Sequence, residues 1–326
     1  MPSRHAVRRC GWAAPAVAGL VALIALSGCS PTSGAETLTA AEASATAQAF
    51  EHIHGLGADP LTGNTYVATH HGVWLLSTAD LPESYPGGAQ PAPSSAPRLL
   101  AGGSQDMMGF TVAVPGTLLA SGHPSAEQAS DLATPNLGLI SSTDAAASWT
   151  EISLARETDF HDLDAVPLDD GKLRVYGYNA GTGALLISDD SGQTWTAGAS
   201  LPMRDLTVDR ADSDRVLATT ADGLAESQDA GQSFQIVPEA PSLLLVEAID
   251  LEAGGGFVGI DPSGAVWQQD PATQEWSETG TTGRAPTALT FAGGSAPWIL
   301  VADERGIAAS DDFGATWTEL FSVEGE

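Results

Sequence analysis

The feature that most constrains the fold is an eight-residue turn that returns along the chain. SDDSGQTW at Ser188–Trp195 recurs as SDDFGATW at Ser310–Trp317, and SQDAGQSF at Ser227–Phe234 is a weaker copy. A fourth copy, STDAAASW at Ser142–Trp149, has Ala146 in place of the glycine. All four fit S-x-D-x-G-x-[TS]-[WF] apart from that substitution, and they are called the S-x-D-x-G turns below. Their recurrence predicts a repeat architecture.

The chemistry of this turn favours a structural role over a binding role. An aspartate carboxylate can accept hydrogen bonds from backbone N–H groups of its own loop, and glycine permits a positive φ. The aromatic residue that ends the turn begins the next strand as a buried ring. A calcium or sugar site in each turn is the alternative. The residues to which we assign the structural role are Ser188, Asp190, Gly192, Trp195, Asp229, Gly231, Ser310, Asp312, Gly314 and Trp317.

A glycine-led strand recurs in the chain more often than the turn, and the spacing of its copies gives the length of the repeat. Its six copies start at Gly72, Gly138, Gly183, Gly223, Gly264 and Gly306, so successive starts differ by 66, 45, 40, 41 and 42 residues. A period of about 40 to 50 residues is typical of a four-stranded propeller blade. The long first interval contains the Pro-rich segment Leu81–Pro97, which cannot continue a β-ladder.

These spacings predict an all-β fold, a six-bladed β-propeller with four antiparallel strands per blade over residues 50–322. The 36 glycines and 20 prolines agree with a fold that has many turns. A solenoid is the alternative. Each unit already contains its own four strands, so the sequence does not show how the ring is closed.

The N-terminal residues form a targeting signal rather than part of the folded domain. Three arginines precede the apolar run Trp12–Leu26, and the tetrapeptide LSGC at Leu26–Cys29 resembles a bacterial lipobox. We therefore expect a signal peptide over 1–28, a lipid on Cys29 and a flexible Ala/Thr/Ser tether over 29–49. The expected location is extracytoplasmic, anchored to the bacterial cell membrane. An ordinary secretory signal is the alternative.

The charge of the chain narrows the range of partners. With 12 Lys and Arg against 41 Asp and Glu, its formal net charge is −29. Cleavage before Cys29 would remove three arginines and no acid, which takes the formal charge to −32. Such a surface repels nucleic acid, so we expect no nucleic-acid partner and a monomer.

The histidines are distributed unevenly over the predicted blades. In an up-and-down blade, the first-strand entry and the second-to-third turn lie on one face of the ring, and the S-x-D-x-G turns lie on the other. All histidines after the signal peptide fall on the first of these faces, in units one to three. We predict a ligand-binding pocket there, lined by His52, His54, His70, His71, Met107, Met108, His123, His161 and Tyr178.

Two kinds of chemistry fit the residues of this face. Imidazoles beside thioethers suit Cu or Zn, for which His52, His54, His123 and His161 are the candidate ligands. The alternative is that these histidines bond to loop carbonyls and line a polar pore. A glycosidase needs two carboxylates roughly 5 to 10 Å apart. Candidates near first-strand entries are Asp106, Asp162, Asp205 and Glu247.

The turns resemble the Asp-box, or BNR repeat, of sialidase-like β-propellers. The segments HIHGL, ATHHG, DMMGF, SGHP and DFHDL together resemble a family of bacterial BNR-repeat lipoproteins generally labelled as glycosyl hydrolases. The resemblance implies a sialidase-like propeller and activity on a glycan. A true sialidase is not indicated, because the three clustered arginines that its substrate requires are not apparent.

Three functions are therefore open at the level of sequence. The first is a binding platform for a small molecule, a glycan or a partner protein. The second is a glycoside hydrolase, and the third is a Cu or Zn binding protein.

Overall fold

The computed structural model describes residues 50, 52–59, 63–78, 81, 97–100, 105–125, 136–293 and 297–323. The chain divides into a unit of Met1–Gly34, outside the described residues, and a unit of Ala35–Glu326 that contains all of them. The predicted signal peptide, Cys29 and the tether also lie outside the described residues. Within these ranges no helix is long and apolar enough to cross a membrane.

The described chain forms six four-stranded antiparallel sheets, each built from consecutive strands. The six-bladed propeller predicted from the repeat spacing is confirmed. The strands are β1 (Ile53–Asp59), β2 (Asn64–Thr69), β3 (Gly72–Ser77) and β4 (Arg98–Leu99) in blade 1; β5 (Asp106–Val114), β6 (Thr117–His123), β7 (Leu139–Ser142) and β8 (Thr150–Ser153) in blade 2; β9 (Phe160–Pro167), β10 (Leu173–Asn179), β11 (Ala184–Ser188) and β12 (Thr196–Ser200) in blade 3; β13 (Asp205–Val208), β14 (Val216–Thr220), β15 (Gly223–Ser227) and β16 (Gln235–Ile236) in blade 4; β17 (Leu245–Ala248), β18 (Phe257–Ile260), β19 (Ala265–Gln269) and β20 (Trp276–Thr281) in blade 5; and β21 (Ala288–Ala292), β22 (Trp298–Asp303), β23 (Gly306–Ser310) and β24 (Thr318–Ser322) in blade 6.

The first strand of every blade is the innermost one. Contacts between consecutive blades run β1 to β5, β5 to β9, β9 to β13, β13 to β17 and β17 to β21, and β21 returns to β1. The burial patterns follow from this position, since the first three strands are largely buried and the fourth is largely exposed. Entries to the first strands therefore meet around one end of the ring axis.

Apolar side chains fill each interface between neighbouring blades. Six buried clusters are present in the described chain, and each draws its members from two adjacent blades. Tryptophans near the S-x-D-x-G turns join them: Trp195 packs against Phe160 with ring centroids 5.0 Å apart, and its Nε1 donates to Ser153 Oγ of the preceding blade at 2.8 Å. The core is thus a ring of interfaces rather than one central mass.

The ring closes by side-chain packing, which answers the question that the sequence leaves open. Blade 6 takes all four of its strands from residues 288–322, so among the described strands none is exchanged with blade 1. Phe50 lies just before β1, and its ring is 4.6 Å from that of Phe321 in β24 and 5.5 Å from that of Trp74 in β3. It is 3% exposed and belongs to the cluster shared by blades 1 and 6.

The S-x-D-x-G turns satisfy their polar groups internally. In the copy at Ser188, the serine Oγ accepts from the N–H of Gly192 at 2.9 Å and donates to Asp190 Oδ1 at 2.8 Å. The Asp190 carboxylate also accepts from the N–H and the hydroxyl of Thr194, and the first of these bonds contributes most to lowering the pKa of Asp190 to about 2. The other three copies repeat the serine–aspartate bond at 2.8 Å.

The glycine position of this turn requires a left-handed backbone. Gly192 has φ +85°, and a Cβ there would lie 2.1 Å from Leu139 Cδ2 of blade 2. In the copy without glycine, Ala146 adopts φ +59° and is fully buried, so its methyl group is accommodated at the cost of backbone strain.

We expect Gly192→Ala to lower the free energy of unfolding by about 2 to 4 kcal/mol, because strain at positive φ adds to overpacking against Leu139. Ala146→Gly is the matched control. It relieves strain but removes a buried methyl group, so its effect should stay within about 1 kcal/mol. Urea unfolding followed by tryptophan fluorescence measures both; equal destabilisation by the two variants would contradict this account.

Candidate functional site

The inner strands of the six blades surround a central channel with a volume of about 630 Å³. Such a volume lies in the range of small-molecule pockets. Polar groups from blades 1, 3, 4 and 5 face it, while blades 2 and 6 contribute mainly apolar side chains. The ionisable side chains are His54, His161, Asp162, Asp164, Tyr178, Arg204, Asp205, Arg210, Glu247 and Asp250.

A β-bulge near the start of the first strand distinguishes blades 1 to 3 from the other blades. The pairing of β1 with β2 skips His54, the pairing of β5 with β6 skips Met108, and the pairing of β9 with β10 skips His161. All three residues line the channel. The corresponding first strands of blades 4 to 6 pair without such a shift. A bulge re-aims a side chain that would otherwise alternate with its neighbours, so it presents these three residues at one end of the channel.

Blades 1 and 2 bring two imidazoles and a carboxylate together at this end. His54 Nε2 lies 3.2 Å from His70 Nε2, and His70 Nδ1 lies 2.7 Å from Asp106 Oδ1. His54 comes from the bulge of β1, His70 from the turn between β2 and β3, and Asp106 from the first position of β5. One ligand atom from each of the three lies within 4.8 Å of the others, as a bound metal ion requires. These three residues are called the first triad below.

Blades 2 and 3 extend this arrangement around the channel end. His123 Nδ1 lies 3.4 Å from the second oxygen of Asp106, and His123 Nε2 lies 3.3 Å from Asp159 Oδ2. The same Asp159 oxygen is 2.8 Å from His161 Nε2. One continuous chain of contacts therefore runs through six residues, which are called the histidine cluster below: His54, His70, Asp106, His123, Asp159 and His161.

Five of the predicted pocket residues do not belong to this chain of contacts: His52, His71, Met107, Met108 and Tyr178. Met107 is 1% exposed and packs in the core between blades 1 and 2, because it alternates with the bulged Met108; its assignment to the pocket is wrong. The His71 side chain is exposed and takes no part in the hydrogen bonds and ion pairs that join the described residues of the cluster. His52 is exposed and lies at the rim, with its ring 5.2 Å from that of His70. Tyr178 lines the channel beside the cluster.

The pKa values of the histidines at the two ends of the cluster are shifted in opposite directions. Burial, and then the nearby His70, lower the pKa of His54 to about 4. Hydrogen bonding to Asp159 raises the pKa of His161 above its usual range. His54 is therefore neutral at physiological pH, while the Asp159 carboxylate stabilises the protonated form of His161.

The candidate catalytic carboxylates deeper in the channel have structural contacts. Asp162 accepts a hydrogen bond from the N–H of Leu206, and Asp205 accepts one from the N–H of Val246 at 2.6 Å. Each bond joins the inner strand of one blade to that of the next blade. Glu247 lies 3.5 Å from Arg210, which also donates to Asp164 at 3.2 Å. Asp106, the fourth candidate, belongs to the first triad.

Confinement in the channel raises the pKa values of these acids. Burial raises the pKa of Asp205 to about 7, against the opposing effects of the Val246 N–H and Arg204. Burial followed by the charge of Asp205 raises the pKa of Asp162, and burial followed by Asp164 raises the pKa of Glu247. Burial in the channel thus disfavours the charged forms of carboxyl groups that also connect the blades.

Sequence reasoning missed Arg210 and Asp164 as channel residues. Arg210 lies in the turn after β13, which the sequence does not single out. It lies beside Glu247 of blade 5 because the ring brings blades 4 and 5 together. Asp164 lies two residues after Asp162 in β9, and residues two apart lie on the same side of a strand. This spacing is a sequence signal that Asp164 faces the channel together with Asp162. No sequence signal other than the glycines after His54 and Met108 marks the bulges.

Comparisons with known proteins assign no family. No family model matches the sequence, and no curated protein matches it. Solved structures that resemble it include YCF48 bound to a D1 peptide, with 16% identity and a TM-score of 0.48 over 83% of this chain and 82% of that chain.

Two GH74 structures also match. An ancestral GH74 enzyme has 14% identity and a TM-score of 0.46, covering 80% of this chain and 36% of that chain. The GH74 xyloglucanase from Xanthomonas campestris has 15% identity and a TM-score of 0.47, covering 80% and 44%. The chain spans less than half the length of either GH74 structure, and these similarities assign no ligand or activity.

We expect the imidazole of His54 in the metal-free protein to titrate with a midpoint near pH 4 in an NMR titration, well below that of His161. His70→Ala should raise the His54 midpoint toward 6.5 without reaching it, since burial remains after the neighbouring imidazole is removed. A His54 midpoint at or above 6.5 in the parent protein would contradict the site geometry.

Proposed function

We propose that this protein is an extracytoplasmic, lipid-anchored propeller that binds a divalent transition metal, Zn²⁺ or Cu²⁺, at the first triad. The observation that carries the proposal is the convergence of His54, His70 and Asp106, whose ligand atoms lie within 4.8 Å of one another. Of the three functions left open by the sequence, metal binding is the one that this geometry favours.

The donor set selects the class of metal. Two imidazole nitrogens and one carboxylate oxygen suit Zn²⁺ and Cu²⁺, whereas Mg²⁺ and Ca²⁺ prefer oxygen ligands. Three protein ligands leave a coordination position for water or a further ligand. Since His54 also lines the channel, that position can face a cavity that accepts a small molecule.

Electrostatics support metal binding at this place. The neutral state of His54 removes proton competition for one ligand at physiological pH. The formal charge of −29 raises the local concentration of cations around the whole molecule. His70 and Asp106 already lie in contact, which lowers the cost of ordering the ligands.

Titration calorimetry with Zn²⁺ and Cu²⁺ tests this proposal on protein purified without a histidine tag and stripped with a chelator. His70→Ala should weaken binding at least ten-fold, because it removes one of three ligands. His71→Ala is the matched control, since it removes an exposed neighbouring imidazole, and it should change affinity by less than about two-fold. Absence of binding by the parent at micromolar concentrations, or equal losses in the two variants, would refute metal binding and leave the channel to an organic ligand.

The lipid anchor is supported by the sequence alone, through the basic start, the apolar run and LSGC at Leu26–Cys29. We expect Cys29→Ser to release the protein into the medium or to leave the precursor unprocessed, because the thiol is the acceptor of the lipid. Fractionation of cells that express the parent and the variant measures this. Retention of a processed variant at the membrane would reveal a different anchor.

A further inference from the structure

The central channel has two walls of different chemistry. Among the ionisable side chains that line it, all except His54 belong to blades 3, 4 and 5, which are neighbours in the ring. The facing wall comes from blades 6, 1 and 2 and is mainly apolar, with Leu56, Phe110, Val112 and Phe291 among its residues. A small molecule inside the channel therefore meets hydrocarbon on one side and charged groups on the other.

Acids outnumber cations on the charged wall, which carries five carboxyl groups and two guanidinium groups. Arg210 lies 3.2 Å from Asp164 and 3.5 Å from Glu247, so its charge is already used in ion pairs. Arg204 is exposed and forms no ion pair with another described residue. Three carboxyl groups of the wall likewise have no lysine or arginine partner in the described chain: Asp162, Asp205 and Asp250.

Asp250 differs from the other two unpaired acids because it does not connect blades. Asp162 and Asp205 accept hydrogen bonds from the backbone of the next blade. The Asp250 side chain makes no such bond, and it does not cap the 3-10 turn Leu251–Ala253 that follows it. It lies instead against Gly293 of blade 6, where a Cβ would be 2.0 Å from Asp250 Oδ2. Its position beside the channel therefore has no structural explanation among these contacts.

The carboxyl groups of this wall also oppose one another's ionisation. Burial and then the charge of Asp164 raise the pKa of Glu247, and Asp205 and Asp250 raise it further. Burial raises the pKa of Asp250 as well. Shifts in this direction indicate too little positive charge nearby, and a cation that entered the channel would favour the ionised forms.

We propose that the channel is a binding site for a small organic cation, an ammonium compound with an apolar body. The ammonium group pairs with the charged wall near Asp205, Glu247 and Asp250, and the hydrocarbon part packs on the wall of blades 6, 1 and 2. A carboxyl group that holds a proton releases it to solvent when the ammonium group binds. The channel volume of about 630 Å³ suits a small molecule.

This site is separate from the first triad and requires no metal. The cation is supplied by the ligand itself, and the contacts that hold it come from blades other than those of His70 and Asp106. The formal charge of −29 also raises the concentration of organic cations around the protein. Binding inside the channel must therefore be distinguished from general attraction to an acidic surface.

Ligand-observed NMR on protein kept in a chelator tests the site with four linear probes: n-hexylammonium, n-butylammonium, 1-hexanol and hexanoate. Hexylammonium should bind about ten-fold more tightly than 1-hexanol, because only the cation pairs with the acids. Hexanoate should not bind. Hexylammonium should also bind about ten-fold more tightly than butylammonium, since the apolar wall buries the added methylenes.

Asp250→Asn should weaken hexylammonium binding about five-fold or more, because it removes a charge from the wall. Its melting temperature should match that of the parent, since no hydrogen bond to this side chain is lost. Asp222→Asn is the matched control: it removes an exposed acid from the turn between β14 and β15, outside the channel, and should change affinity by less than about two-fold. Asp205→Asn provides a second variant, because its amide oxygen can still accept from the N–H of Val246.

Equal binding of hexylammonium and 1-hexanol would overturn the preference for a cation. Equal binding of hexylammonium and butylammonium, or equal losses in Asp250→Asn and Asp222→Asn, would show attraction to the acidic surface alone and overturn the channel site. Absence of binding by the parent would overturn it too. Because the chelator removes metal throughout, each of these outcomes leaves the first triad untouched, and a failure of Zn²⁺ and Cu²⁺ to bind leaves the ammonium site untouched.

Discussion

Apolar packing between neighbouring blades is the interaction on which the structure depends, because no β-ladder in the described chain crosses from one blade to the next. Each of the six buried clusters joins two adjacent blades, and the one shared by blades 1 and 6 turns a row of sheets into a ring. Phe50 contributes to this last cluster from outside any strand. The ring in turn fixes the spacing of the inner strands, and with it the positions of all residues around the channel.

Hydrogen bonds between inner strands complement this packing where the strands diverge. Asp162 and Asp205 accept from the backbone of the following blade, as does Thr207 from the N–H of Ala248 at 3.1 Å. A short polar side chain can bridge two strands that are too far apart to pair. This bridging role is a structural reason for the presence of Asp162 and Asp205 in the channel. Burial raises the pKa values of both acids as a consequence of their position.

The asymmetry of the proposed site comes from local irregularity on a regular ring. The first strands of blades 1 to 3 carry a bulge at His54, Met108 and His161, and the first strands of blades 4 to 6 pair without one. Blades 3 to 5 supply the acids and arginines that line the channel. A single repeat therefore produces a histidine-rich site on blades 1 to 3 and a network of structural ion pairs and hydrogen bonds on blades 3 to 5.

The number of blades, their boundaries and the face on which the histidines lie follow from the sequence, because they depend on repeat spacing and on the alternation of strands and turns. The contacts among His54, His70, Asp106, His123, Asp159 and His161 do not, since they join residues as many as 36 positions apart, and two of the contacts cross from one blade to the next. The sequence also placed Met107 and Met108 together, whereas the bulge sends one into the core and the other into the channel. Bulges and inter-blade distances are decided by how neighbouring sheets pack, and that packing exists only once the ring has closed.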